Sequence, residues 1–207
     1  MRAVSKEHWN GNQVCAIDLE TTGLDPSIHE IWQICVLPLD ANFNIRKEII
    51  PFYIVIKPEF PETASPKALS RKKLLHVCEI GFDSNSVKDM LVEWMKKLDL
   101  PCTAYGTPKK IIPLGHNYAF DKSFLQKWLG VEWYQDLFDY HYNDTMISAM
   151  FLNQCFAEKA EPIPFPHVGL SDVCSTLKIK NEKPHDALYD CMATAEAYQK
   201  MTRFSIV

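Results

Sequence analysis

Asp18, Glu20, Asp121, His185 and Asp190 are of types that can bind a cation or move a proton. Asp18-Leu19-Glu20 closes a run, Gln13–Leu19 (QVCAIDL), that reads as a strand. Residues i and i+2 of a strand share a face, so the two carboxylates stand together while Ile17 and Leu19 point the other way. Val14, Cys15, Ala16 and Ile17 are apolar on both faces, which predicts a central strand. Acids at its carboxyl end would lie where α/β folds place ligands, and their repulsion raises a pKa unless a cation compensates. Asp121 precedes Phe124, Leu125 and Trp128 by three, four and seven residues, on the apolar stripe of a predicted helix. A carboxylate there is costly unless paired, hydrogen-bonded or metal-bound. The ordinary alternative is an acid satisfied by backbone donors of the first helical turn. Pro184 leaves His185 free to lie just outside the last helix, while Asp190 shares a face with the small Ala193, Thr194 and Ala197. Taken alone, that His and Asp read as solvated surface groups.

These residues need a scaffold, and the patterning supplies one. Strands are predicted over 13–19, 30–39 and 46–57, the last interrupted by Pro51, as an antiparallel meander. A proline-rich passage (58–66) and a short basic helix (67–76) follow. Ser86 reads as the cap of a helix burying Val87, Met90, Leu91, Trp94, Met95 and Leu98. Pro101 and Pro108 end it, and Lys110–Gly115 (KIIPLG) reads as a buried strand. Helices are then expected over 119–129 (stopped by Gly130), 144–158, from 170, and over 186–201. Strands followed by alternating helix and strand describe a single mixed α/β or α+β domain over 1–207.

The 207 residues, 47% of them hydrophobic, suffice for one substantial core. No apolar run reaches the ~18–20 residues of a membrane span, and the expected location is cytoplasmic, with a phage-encoded origin as an alternative. Seven cysteines without a CxxC pair read as reduced thiols, several filling the core. The formal charge of −4 argues against a protein that grips long nucleic acid electrostatically.

Three motifs in order outweigh that. Asp18-Leu19-Glu20-Thr21-Thr22-Gly23-Leu24, His116-Asn117 through Asp121, and His185 through Asp190 resemble the three exonuclease motifs of the DEDDh 3′–5′ exonucleases, over roughly residues 13–200. The resemblance implies a ribonuclease H-like fold, a five-stranded mixed sheet flanked by helices. It implies that Asp18, Glu20, Asp121 and Asp190 hold two Mg²⁺ or Mn²⁺ ions and that His185 is the general base. Thr21, Thr22, Leu24 and Asn117 match positions near the terminal nucleotide, and Phe120 could stack on a base. Phe124 is placed in the core, and Asp144 reads as a helix cap. The substrate expected is the 3′ end of single-stranded or frayed DNA, released as nucleoside 5′-monophosphates. An exoribonuclease and a non-catalytic nucleic-acid-binding module are the alternatives. The chain stops soon after the third motif, which argues against a polymerase partner. Lys67, Arg71, Lys72, Lys73, Lys109, Lys110, Lys178 and Lys180 are the basic candidates for phosphate contacts.

Overall fold

The computed structural model describes residues 12–70, 72–98, 100, 102 and 109–204. Its sheet has the order β3-β2-β1-β4-β5. The strands are β1 (Gln13–Thr21), β2 (Ile31–Pro38), β3 (Phe52–Val55), β4 (Ile111–Gly115) and β5 (Asn143–Asp144). The first three form an antiparallel meander, whereas β4 and β5 run parallel to β1. A ribonuclease H-like mixed sheet is therefore present, with β1 at its centre. Strand β3 is shorter than the predicted 46–57, because Pro51 has no N–H for a ladder. The two-residue β5 was too short to carry a periodic signal.

The alternation along β1 explains its central place. Cys15, Ile17 and Leu19 enter one core with Val87, Leu91, Trp94, Phe124 and Leu125. Val14 and Ala16 face the other way, into a core with Ala187, Cys191 and Ala195. The first core is covered by α3 (Ser84–Met95) and α4 (Tyr118–Leu129), the second by α8 (Ala187–Met201). Small residues along α8 let it approach the strands closely, so Cys191 and Ala187 are fully buried. Helix α3 is capped by Asp83, whose carboxylate accepts from the Ser86 N–H, so Ser86 is in the first turn and not the cap. Met90, expected in the core, is exposed.

The remaining helices are α1 (Pro66–Leu69), α2 (Lys72–Ile80), α5 (Val131–Leu137), α6 (Thr145–Glu158) and α7 (Leu170–Thr176). The single basic helix expected over 67–76 is thus two, and α5 had not been anticipated. Gly130 ends α4 with φ 87°, a conformation favouring glycine. The seven cysteines are free, with Cys15, Cys35, Cys174 and Cys191 buried. No helix among the described residues is long and apolar enough to cross a membrane. Most of the proline-rich stretch 101–108 and Arg71 lie outside the described residues, as do the side chains of Lys72 and Lys73.

Candidate active site

The carboxyl ends of β1, β4 and β5 lie side by side, and Asp18, Glu20, Asp121 and Asp190 converge there. Pairing of β1 with β4 stops at Ala16 opposite Leu114, while β1 continues to Thr21. The Leu19 N–H on that edge donates to Asp121 Oδ1 at 3.0 Å. Asp121 thus reaches from α4 across the end of the sheet toward the face carrying Asp18 and Glu20. On the α8 side, Asp186 caps the helix by accepting from the Leu188 N–H. His185 precedes that cap with φ 65°, and its N–H donates to Asp190 Oδ2 at 3.0 Å. One turn therefore orients both His185 and Asp190. Ligand atoms of Glu20, His185 and Asp190 lie within 4.8 Å of one another.

The electrostatics are those of crowded acids. Burial pushes the Asp18 carboxyl well above its ordinary range, and the nearby charges of Asp121, Asp190 and Glu20 push it further. Burial also raises Asp121, against the pull of the Leu19 N–H, with repulsion from Asp144 and Glu20 added. Asp190 is raised by burial, although the Asn181 amide and the His185 N–H both favour its ionised form. Four oxygen-donating carboxylates held this way suit hard divalent cations, which would reduce the repulsion among them. The donor set therefore fits the ions that the motifs imply.

A cleft of about 570 Å³ opens over this cluster, lined among others by Asp18, Glu20, Thr21, Gly23, Leu24, Phe120, Asp121, His185 and Asp190. Leu24 stands 83% exposed at its wall. Phe120 lines the cleft while its neighbour Phe124, 4.9 Å away between ring centroids, is buried in the core. Thr22 departs from the expectation. It is fully buried, its hydroxyl accepts from the Glu30 N–H, its own N–H donates to the Glu30 carbonyl, and its carbonyl accepts from Ser65. Its polar groups anchor the loop and do not face the cleft. Asn117 likewise lies outside the cleft lining, holding a left-handed turn with φ 60° that Asn tolerates.

Asp144 does more than cap one helix. It accepts from Met146 and Ile147 at the start of α6 and from Asn117 and Tyr118 at the start of α4. The helix that carries Asp121 is thereby tied to β5. His116 also lines the cleft, with Nδ1 2.8 Å from Thr145 Oγ1. Gln33, Tyr53 and Asp186 form a further network: the Gln33 amide bonds Tyr53, Tyr53 donates to Asp186, and the Ala187 N–H donates to Gln33. Local spacing shows only the Asp144 cap of α6; its bonds to Asn117 and Tyr118, the His116–Thr145 contact and the Gln33–Tyr53–Asp186 network join distant elements. Among the described basic candidates, Lys67 lines the cleft, whereas Lys109, Lys110, Lys178 and Lys180 do not.

Residues 15–100 match the family model RNase_T, described as Exonuclease. Comparison with curated protein sequences finds no match. Among solved structures, the zinc-bound E. coli exonuclease I complex with single-stranded DNA is 17% identical over 95% of this chain and 42% of that one, at TM-score 0.69. Exonuclease I from Methylocaldum szegediense is 18% identical over 94% of this chain and 41% of that one, also at 0.69. A 3′-exonuclease that recognises a histone mRNA stem-loop is 17% identical over 99% of this chain and 68% of that one, again at 0.69. At such identities the likeness establishes the fold. The chain spans about 40% of the exonuclease I chains it matches.

Proposed function

Residues 15–100 carry the exonuclease family's pattern, and from that premise we propose that the chain is a metal-dependent 3′–5′ exonuclease acting on single-stranded or frayed DNA ends. The observation that carries this reading is the convergence of Glu20, His185 and Asp190 within 4.8 Å, with Asp18 and Asp121 raised by burial and mutual repulsion beside them. Asp18, Glu20, Asp121 and Asp190 would hold two Mg²⁺ or Mn²⁺ ions. When bound, such ions neutralise the scissile phosphate and acidify the attacking water.

The chain's own groups do the rest. His185 stands exposed at the cleft, where its imidazole can take the proton of the attacking water. The left-handed turn and the bond from its N–H to Asp190 hold that ring beside the acids. Leu24 and Phe120 offer apolar surface to the terminal base. Thr21, whose hydroxyl donates to the Gly23 carbonyl, shapes the turn that presents Leu24. The product would be a nucleoside 5′-monophosphate. A non-catalytic binding module is disfavoured, since it gains nothing from clustered buried acids that destabilise the metal-free fold.

The test incubates 5′-labelled single-stranded DNA, duplex DNA and RNA with Mg²⁺ or Mn²⁺, beside Asp190→Ala. Shortening of DNA that disappears with chelator and in the variant supports the reading. Faster shortening of RNA reassigns the substrate, and equal turnover by Asp190→Ala overturns the catalytic set.

A further inference from the structure

A second cavity, of about 280 Å³, adjoins the cleft and has no role in the chemistry above. It is lined by the loop 26–31, by Lys57, Glu59 and Phe60 beyond β3, by Ser84 and Lys88 of α3, and by Phe124, Lys127 and Trp128 of α4. Three lysines thus face one cavity in a chain of net charge −4. No carboxylate pairs with Lys57, Lys88 or Lys127 among the described residues; Lys88 reaches only the Asn85 side-chain oxygen, at 3.4 Å. Two acids also line the cavity. Glu30 turns its carboxylate to the backbone N–H groups of Glu59 and Phe60, and Glu59 is exposed. Ile28 and Phe60 are 55% and 50% exposed beside the lysines, and Trp128 is half-buried.

The two cavities are built on the same helix and the same loop. Phe120 lines the cleft and Phe124 the second cavity, one helical turn apart, about 6 Å along the axis of α4. The loop that presents Leu24 to the cleft continues into Pro26–Ile31 of the second cavity. His29 packs over Gly23, where an added Cβ would lie 2.2 Å from the ring. Unpaired cations beside exposed apolar and aromatic side chains are what a nucleic acid strand recognises, phosphates on the lysines and a base on the ring.

We infer that this Lys57–Lys88–Lys127 cavity, with Phe60 as its stacking surface, is a second binding site for single-stranded nucleic acid, taking nucleotides upstream of the 3′ end held in the cleft. The inference deepens the exonuclease reading and rests on it for the direction of the strand. It is tested with Lys88→Glu/Lys127→Glu and, separately, Phe60→Ala, all at surface positions, with thermal melts to confirm folding. Turnover is measured on a thymidine 5′-monophosphate p-nitrophenyl ester, which needs the cleft alone, and on oligo(dT) of two to fifteen nucleotides.

The expected result is an unchanged ester rate and a KM raised at least five-fold for the longer oligonucleotides in both variants. The slope of log KM against log salt should fall by about 1.4 in the double variant, since each lost single-strand phosphate contact contributes ~0.7. Unchanged KM and salt slope would overturn the site. Anisotropy of labelled dT15 in chelator measures the same contrast without turnover. Weakened binding by the variants there, with no hydrolysis by the parent protein, would keep the groove and discard the exonuclease. Equal binding by parent and variants would discard the groove, and a peptide rather than DNA competing at this face would reassign it to a protein partner.

Discussion

Asp121 sits where a charge is expensive, buried at the edge of the sheet with Glu20 and Asp144 near it. Asp121→Asn keeps the shape and removes the charge, so the metal-free protein should melt several degrees higher while kcat/KM falls by about a thousand-fold or more. The raised carboxyls of Asp18, Asp121 and Asp190 also set a pH dependence. In the folded metal-free protein these groups bind protons more tightly than in the unfolded chain. Their contribution to stability is therefore greatest at low pH and is lost as pH rises from about 4, the ordinary carboxyl value, through their raised values. The midpoint of metal-free thermal unfolding should rise as pH is lowered from 8 to 6, and saturating Mn²⁺ should flatten that rise. Unfolding scans at both pH values, with and without the ion, check it. His185→Ala should abolish the rising limb of the pH–rate profile, as loss of an imidazole base does; a retained limb would place the base elsewhere.

At the scale of elements, the hinge of the site is Asp144, which gathers N–H groups from α4 and α6. Asp144→Ala should destabilise by about 2–4 kcal/mol, more than the ~1 kcal/mol of an ordinary cap, because it orphans buried donors at two helix starts. Denaturant titration gives that figure, and Asp144→Asn should recover part of it. Gly23→Ala should lower turnover with little loss of stability, because the new Cβ would meet the His29 ring and shift Leu24. The carboxylates were legible in the sequence because they lie on periodic elements: Asp18 and Glu20 at i and i+2 of a strand, Asp121 on an apolar stripe. The inward turn of Thr22 and the second bond set of Asp144 were not, since both depend on Glu30, Ser65 and Asn117, brought close only by the tertiary fold. Strand β5 has no sequence signature because two residues carry no period, and Asp83 rather than Ser86 is the cap because either can accept an N–H at a helix start.

Over the whole molecule, the acid excess and the site chemistry fit together. A net charge of −4 leaves little long-range attraction for a polyanion, so on the proposed reading grip would come from cations held at the acid cluster and from local lysines. Mn²⁺ at a hundred times its Kd should add about 2.7 kcal/mol to folding stability in the parent protein and much less in Asp121→Asn, measurable by denaturation. On the same reading, weak global attraction predicts distributive hydrolysis at moderate salt. The most direct measurement compares one single-stranded oligonucleotide labelled at its 5′ end with the same one labelled at its 3′ end, each with Mn²⁺ and with chelator. A 3′–5′ exonuclease produces a ladder of progressively shorter 5′-labelled strands and, from the first time point, a labelled mononucleotide from the 3′-labelled strand, both only with metal. A mononucleotide released first from the 5′ label, internal cuts in both, or the same products in chelator would contradict it.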